Sequence, residues 1–184
     1  MKPFHLVLLL FTMCRAAASV PAASDAPPPA ATTPVGVYDS RLVAYAHFWS
    51  EPSQQAQRER LAEAKTAQCK GDHARYRQLA DTMKTEQTRL HLQVFSTAPI
   101  PEAMTALADS LPGLQRKAGV TRLVSKWDTA ALRRVAPADR VDVTDLLVRE
   151  FNLPEQRRNA LAQMRAAKPL PLWVARTLNF FGRL

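Results

Sequence analysis

From Glu51 to Phe95 the sequence carries one glycine, Gly71, and no proline after Pro52. Strong helix formers fill the first half, as in Ser53-Gln54-Gln55-Ala56-Gln57-Arg58-Glu59-Arg60-Leu61-Ala62-Glu63-Ala64. Tyr76, Leu79, Met83 and Leu90 follow at offsets of three, four and seven, one face of a second helix. A chain with this stretch at its centre is expected to build two antiparallel helices that turn near Lys70-Gly71-Asp72. Charges of both signs alternate along the pair, as on a solvated coiled-coil surface. Lys65, Lys70, Arg75, Lys84 and Arg89 are the candidate client-facing cations of this arm, which spans about 50–95. Taken singly, each is a solubilising helix charge.

The flanks have a different texture. Val35-Gly36-Val37-Tyr38-Asp39-Ser40 is apolar and β-branched, follows a proline and reads as a strand. Leu42, Val43, Tyr45, Ala46 and Phe48-Trp49 lead from it into the first helix. Pro101-Glu102 opens a further helix through Met104, Leu107, Leu111 and Leu114, which Pro112 kinks or divides and Gly119 stops. Val120 to Trp127 reads as the second strand, Asp128 as the cap of a short helix, and Val141-Asp142-Val143 as a third strand. Thr144 or Asp145 is expected to cap the helix Leu146 to Phe151. The fold class is therefore α+β: a small β-sheet body with three helical segments, the antiparallel hairpin among them, inserted between its first two strands. Val35, Val37, Tyr38, Val120, Leu123, Val124, Trp127, Val141 and Val143 are the candidate body or oligomer contacts. So small a sheet with thinly apolar helices calls for self-association.

The start of the chain is of another kind. Met1 to His5 is short and basic, Leu6 to Met13 is nearly all apolar, and Ala16-Ala17-Ala18 offers small residues, the order of a secretory signal over 1–18. Cleavage is expected near Ala18 or Ser19, and lipid attachment at Cys14 is disfavoured because Phe11-Thr12-Met13 is a poor match before it. Residues 19–34, SVPAASDAPPPAATTP, have nothing to bury and read as a tether. The folded body is placed at 35–151 and the cell compartment is read as periplasmic. Cys69 is then the lone cysteine of the mature chain.

No chemistry announces itself. With five glycines in the chain, phosphate-cradling loops are scarce. His47, His73 and His91 form no close ligand pair, so neither metal nor cofactor is expected. Asp39 with Ser40 and Arg41 reads as a turn or subunit contact, and Ser125 and Lys126, adjacent in a strand, should point to opposite faces. The reading is non-enzymatic. The net charge of +9 would suit nucleic acid, but no basic repeat, zinc pattern or RNA-binding strand accompanies it, and that partner is disfavoured.

Much of the charge lies at the end. Glu155 to Leu184 holds six Lys and Arg and one acid. This basic extension, 152–184, closes on Leu170, Leu172-Trp173-Val174, Leu178 and Phe180-Phe181. Packing back on the body is the favoured outcome for it; peripheral membrane contact, or disorder with partner binding, are the alternatives, with Arg165, Lys168, Trp173, Arg176, Phe180 and Phe181 as the candidate contacts.

The order of these pieces resembles the Skp/OmpH-like family of periplasmic chaperones. Members open with V-x-V-x-D-x-x-x-V after the signal, here Val35-Gly36-Val37-Tyr38-Asp39-Ser40-Arg41-Leu42-Val43. A charged helical hairpin follows, and the return to the body is similar in Ala118-Gly119-Val120-Thr121-Arg122-Leu123-Val124 and Val141-Asp142-Val143-Thr144-Asp145-Leu146-Leu147. The resemblance covers about 35–151 and is to a short-armed member. It implies a homotrimer with a shared strand body, coiled-coil-like arms around a cavity, and ATP-independent holding of unfolded outer-membrane or envelope proteins. The alternative is a structural envelope protein that contacts anionic membrane, cell wall or another protein through its basic tail.

Overall fold

Valines on alternate positions behind a proline favour an extended chain, and Val35–Tyr38 forms strand β1. The computed structural model describes residues 34–180 and Gly182. The expected signal, the tether up to Thr33, and Phe181 lie outside the described residues. β1 is the middle of a three-stranded sheet, with β2 (Leu123–Ser125) and β3 (Arg140–Asp142) parallel to it on either side. Gly36 and Val37 are paired on both sides, Gly36 opposite Leu123 and Val141 and Val37 opposite Val124 and Asp142.

Parallel neighbours require long crossovers. Between β1 and β2 lie α1 (Ser40–Trp49), α2 (Glu51–Cys69), α3 (His73–Phe95), α4 (Pro101–Ala106) and α5 (Leu111–Ala118). Between β2 and β3 lie α6 (Thr129–Leu132) and a 3-10 turn at Pro137–Asp139. α7 (Thr144–Arg149), α8 (Glu155–Ala166) and α9 (Leu172–Phe180) follow. The α+β class is as expected, but five helices separate the first two strands where three were expected. Pro112 in the first turn of α5 makes the division. β2 is shorter than the expected run because Val120 to Arg122 approach β1 as a loop.

Strand alternation sorts the side chains. Tyr38, Leu123 and Val141 face the main core of Leu42, Val43, Val94, Ile100, Leu107, Leu147 and Phe151. Val35 and Val124 face a smaller cluster with Val135, Ala131 and Leu132. At Gly36 the space between neighbours is nearly closed: a β-carbon there would lie 2.6 Å from Leu123 Cδ2 and 3.1 Å from Val143 Cγ2. Glycine lets the flanking side chains meet over the central strand.

α2 and α3 turn where expected. Gly71 takes φ 72°, and the Asp72 carboxylate accepts the Arg75 backbone N–H at 3.0 Å, capping α3. The helices run antiparallel over buried Ala64, Ala67 and Leu79. Arg75–Glu63 at 2.6 Å and Arg60–Glu86 at 2.9 Å bridge them. With 19 and 23 residues they are about 28 and 34 Å long.

The C-terminal extension is part of this unit. α8 packs on α1 and α9 on α3. The Leu170 N–H donates to Phe95 O at 2.8 Å, and Ser96 Oγ donates to Leu170 O at 2.8 Å. Packing back on the body is the outcome for this segment.

Two local expectations change. The residue before α7 is Val143, and Thr144 Oγ1 is engaged elsewhere, accepting the Asp39 N–H at 3.0 Å. β2 stops at Ser125, so Lys126 leaves the pleat. Its Nζ reaches Asp39, while Ser125 Oγ reaches Ser40 Oγ at 3.4 Å. Both neighbours thus end at the β1–α1 junction and not on opposite faces. Gly36→Ala is expected to lower stability by about 1–3 kcal/mol and Gly36→Val by more, read as urea midpoints at constant slope. An unchanged midpoint in both would show that Leu123 and Val143 give way freely.

Candidate functional site

Two places bring functional groups together: the carboxyl end of the sheet, and a cleft between α1, α2 and α3. At the first, Asp39 follows β1 directly and its carboxylate accepts the Arg41 backbone N–H at 3.1 Å, capping α1. Oδ1 also accepts Arg41 Nε at 3.2 Å and Trp127 Nε1 at 3.1 Å. Oδ2 accepts Arg41 Nη2 at 3.0 Å and pairs with Lys126 Nζ at 2.5 Å. Asp39 is 1% and Arg41 3% exposed. The Trp127 ring lies against both cations, 4.9 Å from Arg41 Cζ and 4.5 Å from Lys126 Nζ. Arg41 then donates from Nη1 at 2.9 Å to the carbonyl of Ala167, the residue that caps α8.

Burial alone would push the Asp39 carboxyl up. The hydrogen bonds from Arg41, Lys126 and Trp127 and the Arg41 charge outweigh it and hold the group below its ordinary value. A carboxylate so held, with five donors on about four lone pairs, is a poor proton acceptor. Asp39 is a positioning group that fixes where α1 starts.

The cleft lies at the foot of the helical hairpin. Ser50 breaks the helix at ψ 149° and Pro52 restarts it, so α2 leaves at an angle to α1. Further out, α2 and α3 close on small alanines. At the foot, Leu61, Gln57 and Gln54 face Met83, Gln87 and Leu90 across an opening of about 780 Å³. Tyr45, Phe48 and Trp49 of α1, with Val94 and Phe95 of α3, add aromatic and aliphatic surface to the lining. Trp49 is held by the Arg157 guanidinium, 3.2 Å from its ring centroid, and by a tilted contact with Tyr45.

The rim is polar and tied down. Arg89 pairs with Glu102 at 3.0 Å, and Gln93 Nε2 donates to Glu102 Oε2 at 3.1 Å. Burial would raise the Glu102 carboxyl, but its own backbone N–H, Gln93 and Arg89 lower it. His47 lies edge-on to Phe151 at 5.7 Å. Burial lowers its pKa and Arg89 adds to that, against an opposing pull from Glu102. Arg60 Nε is buried on the cleft wall with no hydrogen-bond partner.

Among the expected arm residues, Lys65, Lys70 and Lys84 are exposed away from the cleft. Arg75 is taken up by Glu63, and Arg89 alone of the five lines the opening. Of the body residues, Val35, Val120, Val124 and Val143 are buried within the chain, while Val37, Tyr38, Leu123, Trp127 and Val141 are half-buried. In the tail, Arg165 pairs with Asp145, and Lys168, Trp173, Arg176 and Phe180 are exposed. The cleft was not foreseen. Its one local sign is Tyr45, Phe48 and Trp49 clustered before Pro52 in a chain with 7% aromatic residues.

No family model, curated protein or solved structure matches this chain. What the cleft can do is carried by its chemistry: an aromatic and aliphatic floor, amide-bearing walls and an ion-paired rim. Among the described residues, no group of three or more His, Cys, Asp or Glu is placed to hold a metal.

The Asp39 pair makes a direct prediction. Asp39→Asn leaves the Arg41 charge buried without its counter-ion, and stability at neutral pH should fall by about 3–5 kcal/mol. Because the folded-state value is depressed, the wild-type contribution is present above the unfolded pKa of about 4 and is lost as pH falls through the folded value. Urea unfolding between about pH 6 and pH 2 should therefore show a steeper acid loss for wild type than for Asp39→Asn. Equal slopes would remove Asp39 from the acid response.

Proposed function

We propose that the protein is an ATP-independent holdase of the periplasm that shelters apolar segments of unfolded outer-membrane or envelope proteins. The carrying observation is the open cleft at the foot of the α2–α3 hairpin, whose volume of about 780 Å³ matches a few bulky side chains of an extended chain. Its surface suits many clients and not one. Met83 adapts to different shapes, Phe48, Leu61, Leu90 and Phe95 supply undirected apolar contact, and Gln54, Gln57 and Gln87 can bond any backbone.

Holding of this kind needs no nucleophile, metal or cofactor. It needs an apolar surface beside enough charge to keep the complex dissolved, and the ion-paired hairpin supplies that charge. The signal-like start supports work after export. The Skp/OmpH-like resemblance adds a homotrimer whose coiled-coil-like arms surround a common space, so that three clefts act on one client. In that assembly the strand body is the shared contact.

The test is dilution of a urea-unfolded outer-membrane β-barrel protein into buffer without ATP, followed by light scattering. The wild-type chain should suppress aggregation near one trimer per client. Leu61 and Phe95 line the cleft and are 49% and 46% exposed, so Leu61→Gln with Phe95→Gln should leave the melting transition in place and remove most of the suppression. No suppression by the wild-type chain overturns the holdase reading. Full suppression by the double variant moves the holding surface away from the cleft. A concentration-independent monomer by solution mass would remove the shared-space assembly.

A further inference from the structure

The tail presents one helix face with two large aromatic rings exposed. α9 is anchored by the Leu170 bonds to Phe95 and Ser96 and by Ala175, which is 0% exposed. With Ala175 turned inward, the helical repeat sends Trp173, Arg176, Thr177 and Phe180 outward. Trp173 is 72% and Phe180 83% exposed, well beyond Leu61, Phe95 and Tyr76. Arg176 lies between the two aromatics at spacings of three and four, and it is the one charged residue in α9.

The charge along this part of the sequence has one sign. From Gln156 to Leu184 the sequence has Arg157, Arg158, Arg165, Lys168, Arg176 and Arg183 and no acidic residue. An indole and a phenyl ring flanking a cation, on a helix without acids, match the boundary of an anionic bilayer, where rings enter the headgroup region and the guanidinium meets phosphate. A protein partner would be equally served by a mixed-charge rim, which this segment lacks. At nine residues α9 is about 14 Å long, so contact is along the surface and not across it.

We propose that α9 is a preoriented foot that docks the protein on an anionic lipid bilayer, with Trp173 and Phe180 as wedges and Arg176 as the headgroup contact. The helix is already held on α3, so docking need not first fold and orient it. The site is separate from the cleft and does not depend on the holdase reading.

The full chain is mixed with phosphatidylcholine vesicles, with or without phosphatidylglycerol, and sedimented. Pelleting should require phosphatidylglycerol and weaken with salt. Arg176→Gln should weaken binding about fivefold. Trp173→Ala with Phe180→Ala should abolish it while the melting transition and aggregation suppression stay at wild-type levels. Trp173→Phe should retain part of the binding. Equal pelleting on neutral vesicles, no pelleting on either, or undiminished pelleting of the double variant would overturn the proposal. So would a fall in solution mass with Trp173→Ala, since the face would then be a contact between copies.

Discussion

The Asp39–Arg41 ion pair joins parts of the chain that are remote in sequence. The carboxylate gathers Lys126 and Trp127 from beyond β2, while the Asp39 N–H holds Thr144 at the start of α7. The guanidinium carries the connection on to the Ala167 carbonyl, just past the end of α8. Both groups are almost without solvent, so each charge depends on the other and on the neutral dipoles around it. A buried pair adds little net stability over an apolar equivalent, but losing one partner is severe. The pair therefore acts chiefly by excluding other arrangements of the sheet, α1 and α8.

That arrangement decides what the cleft can be. α1 starts at the Asp39 cap, passes through the core on Leu42, Val43 and Ala46, and delivers Phe48 and Trp49 to the foot of the hairpin. Arg157 of α8 holds Trp49 from the other side. One wall of the opening is thus part of the rigid body, while the opposite wall belongs to two helices whose outer halves bury mainly small residues. A fixed apolar wall beside a less constrained one suits clients of differing shape. It would suit a single defined substrate less well.

The sequence made the local features legible and left the distant ones hidden. Gly71 and Asp72 marked the hairpin turn, Gly119 a helix stop and Asp128 a cap, because each acts within a few residues of itself. The sheet order was not readable: β2 and β3 have three residues each, too few to show alternation. Asp39 read as a turn residue because its deciding partners lie 88 and 105 positions away. For the tail, packing on the body was the favoured reading, but its ties to Arg41 and Ser96 were invisible to any local pattern. Four helices share the lining of the cleft, and only the aromatic run of α1 hinted at it.

If clients are held at the foot of the hairpin, that region must lose solvent access when one binds. Hydrogen exchange of the full chain, alone and with an unfolded outer-membrane protein, tests this most directly. The account predicts slowed exchange in the last turns of α1, the first half of α2 and the second half of α3, with the Lys70–Asp72 turn and α9 unchanged. Protection confined to the turn or to α9, or none at all in a complex that forms, would contradict it.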